Sequence, residues 1–236
     1  MKSTILTGLA AILLLAISCK KESAPVTGKT AAPALATDMN ETGKFTSIYI
    51  RGQRWMTTNL AVTHYRNGDP IPQVQGGKWA ALTTGAWCWY NNDSATGRPY
   101  GRLYNWYAVH DPRGLAPAGW HIPSDAEWDT LSAHFGGDAL AGGKLKDTGN
   151  IKTGTGLWHA PNAGATNKSG FTGLPGGHRN YDGAFYDISI YGLWWTSTES
   201  VSGFALFREM RYDSSSVFAH SADKAHGFSV RCIRDN

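Results

Sequence analysis

The chain has 236 residues, 42% hydrophobic and 17% charged, with a formal net charge of +4. That composition can bury a core, which excludes a wholly disordered chain, and its basic residues are scattered rather than interleaved with aromatics, which excludes a nucleic-acid partner. The 28 Gly and 10 Trp point to tight turns packed against large flat rings, with little long helix.

The N-terminus reads as an address. Lys2 precedes the apolar run at residues 5–17, which falls short of the ~20 residues needed to span a bilayer. It has the form of a signal-peptide core behind a basic start. The run closes on Ala16-Ile17-Ser18-Cys19, which resembles a bacterial lipoprotein processing box. Residues 1–18 are therefore expected to be a lipoprotein signal peptide, and Cys19 the lipid-bearing first residue of the mature chain. That lipid would hold the protein to a membrane of the cell envelope, at the outer membrane or cell surface. The competing reading is an ordinary signal peptide followed by an incidental Cys. Residues 19–44 carry almost no large apolar side chain and cannot offset their ordering entropy, so they are expected to be a flexible tether. The folded domain then spans 45–236.

Residues 45–60 read as a strand, a turn at Gly52-Gln53 and a second strand, with Ile48 and Ile50 alternating with polar neighbours. Residues 66–78 are rich in turn formers. The stretch 86–93 around Cys88 is a further strand, and 101–109 is a strand or a short helix. Ser124 followed by Glu127 forms an S-x-x-E capping box, with Pro123 before it and Asp125 and Glu127 in the first turn. Trp128, Leu131 and Phe135 form its apolar stripe, and Gly136-Gly137 ends the helix. His121, upstream, is expected to be a packed, hydrogen-bonded residue rather than a base. A second helix at 138–147 carries Gly142-Gly143, which suggests close backbone packing. The last third reads as short strands at 184–190, 192–200, 203–212 and 227–236.

Cys88 and Cys232 would remain as a pair in the mature chain. Outside the cytoplasm, two cysteines flanked by apolar residues most simply form a disulfide. A redox or metal-binding pair is the rival, but there is no C-x-x-C and no Cys/His cluster. No metal and no other cofactor is expected: the histidines lack H-x-x-x-H spacing, and neither a P-loop nor G-x-S-x-G occurs.

Two kinds of side chain remain as functional candidates. Asp182, Asp187, Glu199 and Glu209 supply carboxylates that a hydrolase could pair, although Glu199 is expected to partner Arg179 or Arg231. Trp79, Trp87, Trp89, Trp106, Trp158, Trp194 and Trp195 exceed the needs of a small core. Trp194-Trp195 on one strand should send one ring inward and the other outward. With the adjacent His178-Arg179-Asn180 loop, that outward ring is the expected ligand-binding surface.

The blocks YGRLYNWYAV, PAGWHIPSDAEWDTL, AGGKLK, SGFTGLPGGHRN, GLWWTSTE and GFSVRCIRD, in this order over about 45–235, resemble the Fibrobacter succinogenes major paralogous domain, a family common in bacterial lipoproteins. Gly227–Cys232 and Gly176-Gly177-His178-Arg179 are similar to segments of the formylglycine-generating sulfatase-modifying enzymes. The resemblance implies an irregular α+β domain of the C-type-lectin-like (sulfatase-modifying-factor-like) kind, with short twisted sheets, few short helices and many loops. It does not bring that enzyme's copper chemistry, which needs two neighbouring cysteines. Nor does it bring calcium-dependent sugar binding, because neither Glu-Pro-Asn nor Gln-Pro-Asp occurs. The function expected is that of an anchored, non-catalytic recognition domain for glycan or protein. The alternatives are an extracellular hydrolase with a carboxylate pair and a purely structural surface protein.

Overall fold

The computed structural model describes residues 45–235, so the expected signal peptide, Cys19 and the expected tether lie outside the described residues. In chain order the strands are β1 (Ser47–Ile50), β2 (Gln53–Met56), β3 (Trp87–Cys88), β4 (Leu103–Tyr104), β5 (Trp120–His121), β6 (Gly176–Arg179), β7 (Phe185–Ile188), β8 (Tyr191–Val201), β9 (Phe204–Arg211), β10 (Val217–Asp223) and β11 (Ile233–Arg234). The α-helices are α1 (Ser94–Gly97), α2 (Trp106–Val109), α3 (Asp125–His134) and α4 (Asp138–Leu145). The sheets are small: β1-β2-β11-β5, β10-β9-β8, and the pairs β3-β4 and β6-β7. Every strand pairing within them is antiparallel. This is an irregular α+β architecture, as the sequence implies.

The first hairpin turns on Arg51 and Gly52, both with positive φ, one residue earlier than expected. The segment 101–109 holds both alternatives in succession, β4 and then α2. Helix α3 begins as its sequence dictates. Ser124 Oγ accepts the Glu127 N–H at 3.3 Å and Glu127 Oε2 accepts the Ser124 N–H at 2.7 Å. Such a cap stabilises by about 1 kcal/mol. The first-turn carboxylates are used twice: Asp125 Oδ1 also accepts from Nε of the buried Arg208 at 2.9 Å, which ties α3 to β9. His121 sits between Glu127 (2.8 Å) and Asp235 (2.7 Å), locking the chain's end to β5 and α3. Its side chain is 40% exposed, less enclosed than expected, but the role is a brace. In α4, a Cβ on Gly142 would lie 2.3 Å from Ser216 O, and one on Gly143 2.5 Å from Gly164 O. These two glycines let the 164 and 216 loops rest on the helix backbone.

The tryptophans go inward. Trp79, Trp106, Trp158, Trp194 and Trp195 are at most 2% exposed. Each of these five indole N–H groups finds an acceptor, in four cases a backbone carbonyl: Trp79 to Ala225 O, Trp106 to Thr196 O, Trp158 to Gly173 O, Trp194 to Asn59 Oδ1 and Trp195 to Tyr104 O. A loop-heavy fold has many backbone carbonyls that no ladder satisfies. A buried Trp supplies both apolar area and one donor that such a carbonyl can accept, as Ala225 O does from Trp79.

The expected outward ring on β8 is not found. Trp194 and Trp195 do alternate, but both faces of β8 are covered. Trp194 packs with Trp55, Trp128 and Phe171, while Trp195 packs with Tyr104, Phe207 and Phe228. The segment 227–230 pairs with the edge of β8, exchanging backbone bonds through Ser229 with Leu193 and Trp195, and its Phe228 ring lies against Trp195 at 4.3 Å. The disulfide is not formed either. Cys88 and Cys232 are free, buried thiols in different clusters, Cys88 beside Trp79, Tyr90 and Leu103 and Cys232 in the larger core. Burial raises both thiol pKa values, that of Cys88 to about 12. Each acts as a small apolar side chain.

Candidate binding cleft

The β6-β7 hairpin, the sheet β10-β9-β8 and the segment following β10 enclose an open cleft of about 570 Å³. Its walls carry Tyr181, Tyr191, Phe204, Phe207 and Phe228, with His178, His226, Asp187, Glu209 and Asp223 among them. Tyr181 (55%) and Phe204 (42%) are the exposed rings of the mouth. Phe207 and Phe228 form the floor, their centroids 4.7 Å apart, with Trp195 beneath Phe228 at 4.3 Å.

The hairpin supplies the polar groups through an unusual backbone. His178 pairs with Tyr186 and Gly176 with Ile188, so Gly177 lies opposite Asp187. In a regular strand Asp187 would point away from the face that holds His178 and Tyr186. Here both Gly177 (φ 59°) and Asp187 (φ 65°) are left-handed. The Asp187 carboxylate therefore turns to the His178 side, with Oδ2 at 3.4 Å from His178 Nδ1, and both residues line the cleft. A left-handed non-glycine residue costs about 1–2 kcal/mol, and such outliers concentrate at functional sites.

The electrostatics follow from enclosure. His178, with 16% of its side chain exposed, has its pKa pushed down to about 4 by desolvation and by the neighbouring His226, whose centroid is 6.2 Å away. His226 is lowered too, again mainly by burial. Asp187 is raised by burial and then by Glu209. Glu209 itself is tied to Arg211, and Asp223 Oδ1 accepts the Ala225 N–H at 2.8 Å. Nδ1 of His178 is enclosed and has no hydrogen bond.

This arrangement makes stability depend on pH in a defined direction. Unfolded, His178 takes up a proton near 6.5; folded, it resists until about 4. Between those values the unfolded state binds more protons, so stability falls as pH falls, by about 3 kcal/mol in all for this residue. His121 acts in the opposite sense: its pKa is raised despite burial, through Glu127 and Asp235, so its contribution is present in acid and is lost as pH rises through its folded value. Urea unfolding at pH 7 and pH 4.5 should give a smaller stability difference for His178→Phe than for the parent chain. An equal difference would remove His178 as the cause.

Of the expected ligand residues, only His178 lines this cleft. Arg179 is fully buried and donates to carbonyls of the 74–76 and 183 loops. Asn180 closes the hairpin turn through backbone bonds with Ala184 and Gly183. Trp194 and Trp195 are core. Glu199 is exposed on β8 and pairs with Lys224 rather than with Arg179 or Arg231. Asp187 and Glu209 do share the cleft, whereas Asp182 caps the turn at Ala184. Tyr181 and Phe204 went unremarked in the sequence. Tyr181 sits inside the turn-forming cluster Asn180-Tyr181-Asp182-Gly183 and Phe204 opens β9 directly after the turn at Ser202-Gly203, positions where a large ring has little to pack against.

Among the described residues, no group of three or more His, Cys, Asp or Glu side chains could hold a metal ion, and no helix is long and apolar enough to cross a membrane. The model of one family, the Fibrobacter succinogenes major domain, matches residues 48–234. No curated protein and no solved structure matches the chain.

Proposed function

The chain belongs to the Fibrobacter succinogenes major domain family, and from that premise we propose that it is a recognition domain of C-type-lectin-like kind whose cleft binds glycan. On this reading the chain is a lipoprotein, held to the envelope or cell surface by lipid on Cys19 and a tether over 19–44. The observation that carries the binding role is the cleft itself: exposed Tyr181 and Phe204 rings beside enclosed His and Asp groups. Flat rings can cover the C–H faces of a pyranose, while Asp187 and His178 offer hydrogen-bonding atoms to its hydroxyls. Glu209, the second carboxylate, is engaged by Arg211, which favours recognition over hydrolysis by a carboxylate pair.

A glycan array followed by fluorescence titration is the test, since Trp195 lies directly beneath the floor and reports occupancy. Binding to array sugars without release of reducing ends supports the reading, and Tyr181→Ala should weaken it about tenfold. Product release that Glu209→Gln abolishes would establish a hydrolase instead. Silence in both assays would leave a structural surface protein.

A further inference from the structure

Resting on that reading, we propose that the cleft selects a glycan bearing a protonated primary amine, with the Asp187 carboxylate and the surrounding aromatic rings as the amine's seat. The three carboxylates of the wall differ in what already engages them. Glu209 is paired with Arg211, whose guanidinium also lies over Phe218 at 4.2 Å. Asp223 accepts a backbone N–H at the turn after β10. The nearby ammonium of Lys224 is directed to Glu199 and to the Trp106 ring. Among the described residues neither Asp187 nor Asp223 pairs with an arginine or lysine, and Asp187 is the one of the three whose carboxylate accepts no hydrogen bond from the chain; His178 Nδ1 stands 3.4 Å from it.

A carboxylate held in this way, on a left-handed backbone and among Tyr181, Tyr191, Phe204 and Phe228, has the properties of a cation acceptor. An ammonium group would give Asp187 the opposite charge that the protein does not supply, in a charge-assisted hydrogen bond. Ring faces add cation–π attraction at the same point. A neutral sugar can meet only the hydroxyl-binding and stacking part of this site, and an acidic sugar would meet Asp187 and Glu209 as like charges. Charge complementarity thus separates amino sugars from the other glycans of similar shape.

The experiment is calorimetric titration of the full chain at about pH 6 with hexaglucosamine, its fully N-acetylated counterpart and cellohexaose. Hexaglucosamine is expected to bind about tenfold tighter than the other two. Asp187→Asn should bring it down to their level, while Tyr181→Ala should weaken all three alike. Equal affinity of the parent chain for the three sugars overturns the amine selection and leaves glycan recognition standing. A preference that survives in Asp187→Asn overturns the assignment to this carboxylate. Failure of all three to bind, in a chain that unfolds cooperatively, overturns glycan recognition and the inference together.

Discussion

Arg179→Met is expected to lower the unfolding free energy by about 3 kcal/mol, and Arg179→Lys by nearly as much. The guanidinium is fully buried and lies flat between Trp79 (4.4 Å) and Phe185 (4.8 Å). Its Nη1 donates to Val74 O at 2.8 Å, Nη2 to Gly76 O at 2.7 Å and Nε to Gly183 O at 3.1 Å. One side chain thereby fastens the loop before Trp79 to the β6-β7 hairpin. Without it, the half-buried Val74 and Gly183 carbonyls lose their donors, at about 1–3 kcal/mol each. Gly76 is exposed and its carbonyl can turn to water, and removing a buried charge returns part of the loss. Lysine has a single donor point in place of a planar fork and cannot span three acceptors in these directions. Against a total stability of about 5–15 kcal/mol the shift is large. Urea unfolding of the two variants measures it. A variant within about 1 kcal/mol of the parent would show that the three carbonyls do not depend on Arg179 as their donor.

The contrast between Arg179 and its neighbour His178 shows where sequence reading reaches its limit in this chain. Local signals were legible. The capping box of α3, the glycine pair of α4 and the alternation of Trp194 and Trp195 follow from neighbours within a few positions, and all are present. What the residues on either side of a strand meet is set by segments far away. The segment 227–230 pairs with the edge of β8 and sets Phe228 against Trp195, and the loop at 74–76 receives Arg179. No spacing rule carries that information. The cysteines illustrate the same limit: apolar flanks correctly signal burial, but burial in two separate clusters leaves each thiol alone.

The cleft was legible only in part, for a related reason. Asp187 could be named as a carboxylate in the last third, but its placement beside His178 depends on a left-handed backbone at a residue that is not glycine. Sequence patterns assume that side chains alternate along a strand, so they place it on the wrong face. The exposed rings were hidden by expectation, because Trp draws attention as a binding residue and Tyr181 and Phe204 do not. In this fold the tryptophans are built into the core, and the exposed rings of the cleft, Tyr181 and Phe204, lie in or directly beside turns.

Gly177→Ala is expected to cost about 2–5 kcal/mol and to lower the affinity for hexaglucosamine about tenfold in the protein that still folds. Gly177 has φ 59°, and a Cβ there would lie 2.4 Å from Tyr186 O and 2.6 Å from Ile188 N. Both obstacles are backbone of the partner strand, so no side chain can swing aside. The left-handed strain contributes about 1–2 kcal/mol and the forced separation of the strands about 1–3. Relief requires β7 to shift, and the residue it carries between those two contacts is Asp187. The Asp187 carboxylate then leaves the His178 side, and the cleft loses that carboxylate while its rings and its other polar groups remain. Gly119→Ala separates the two contributions: Gly119 is also left-handed, at φ 78°, but nothing lies within 4 Å of a Cβ there. It should lose only about 1 kcal/mol and keep full binding, because it stands outside the cleft. Urea unfolding and fluorescence titration on both variants give the comparison. Equal stability losses at the two glycines would show that the hairpin accommodates a side chain, and that the close opposition of Gly177 to β7 does not hold Asp187 in place.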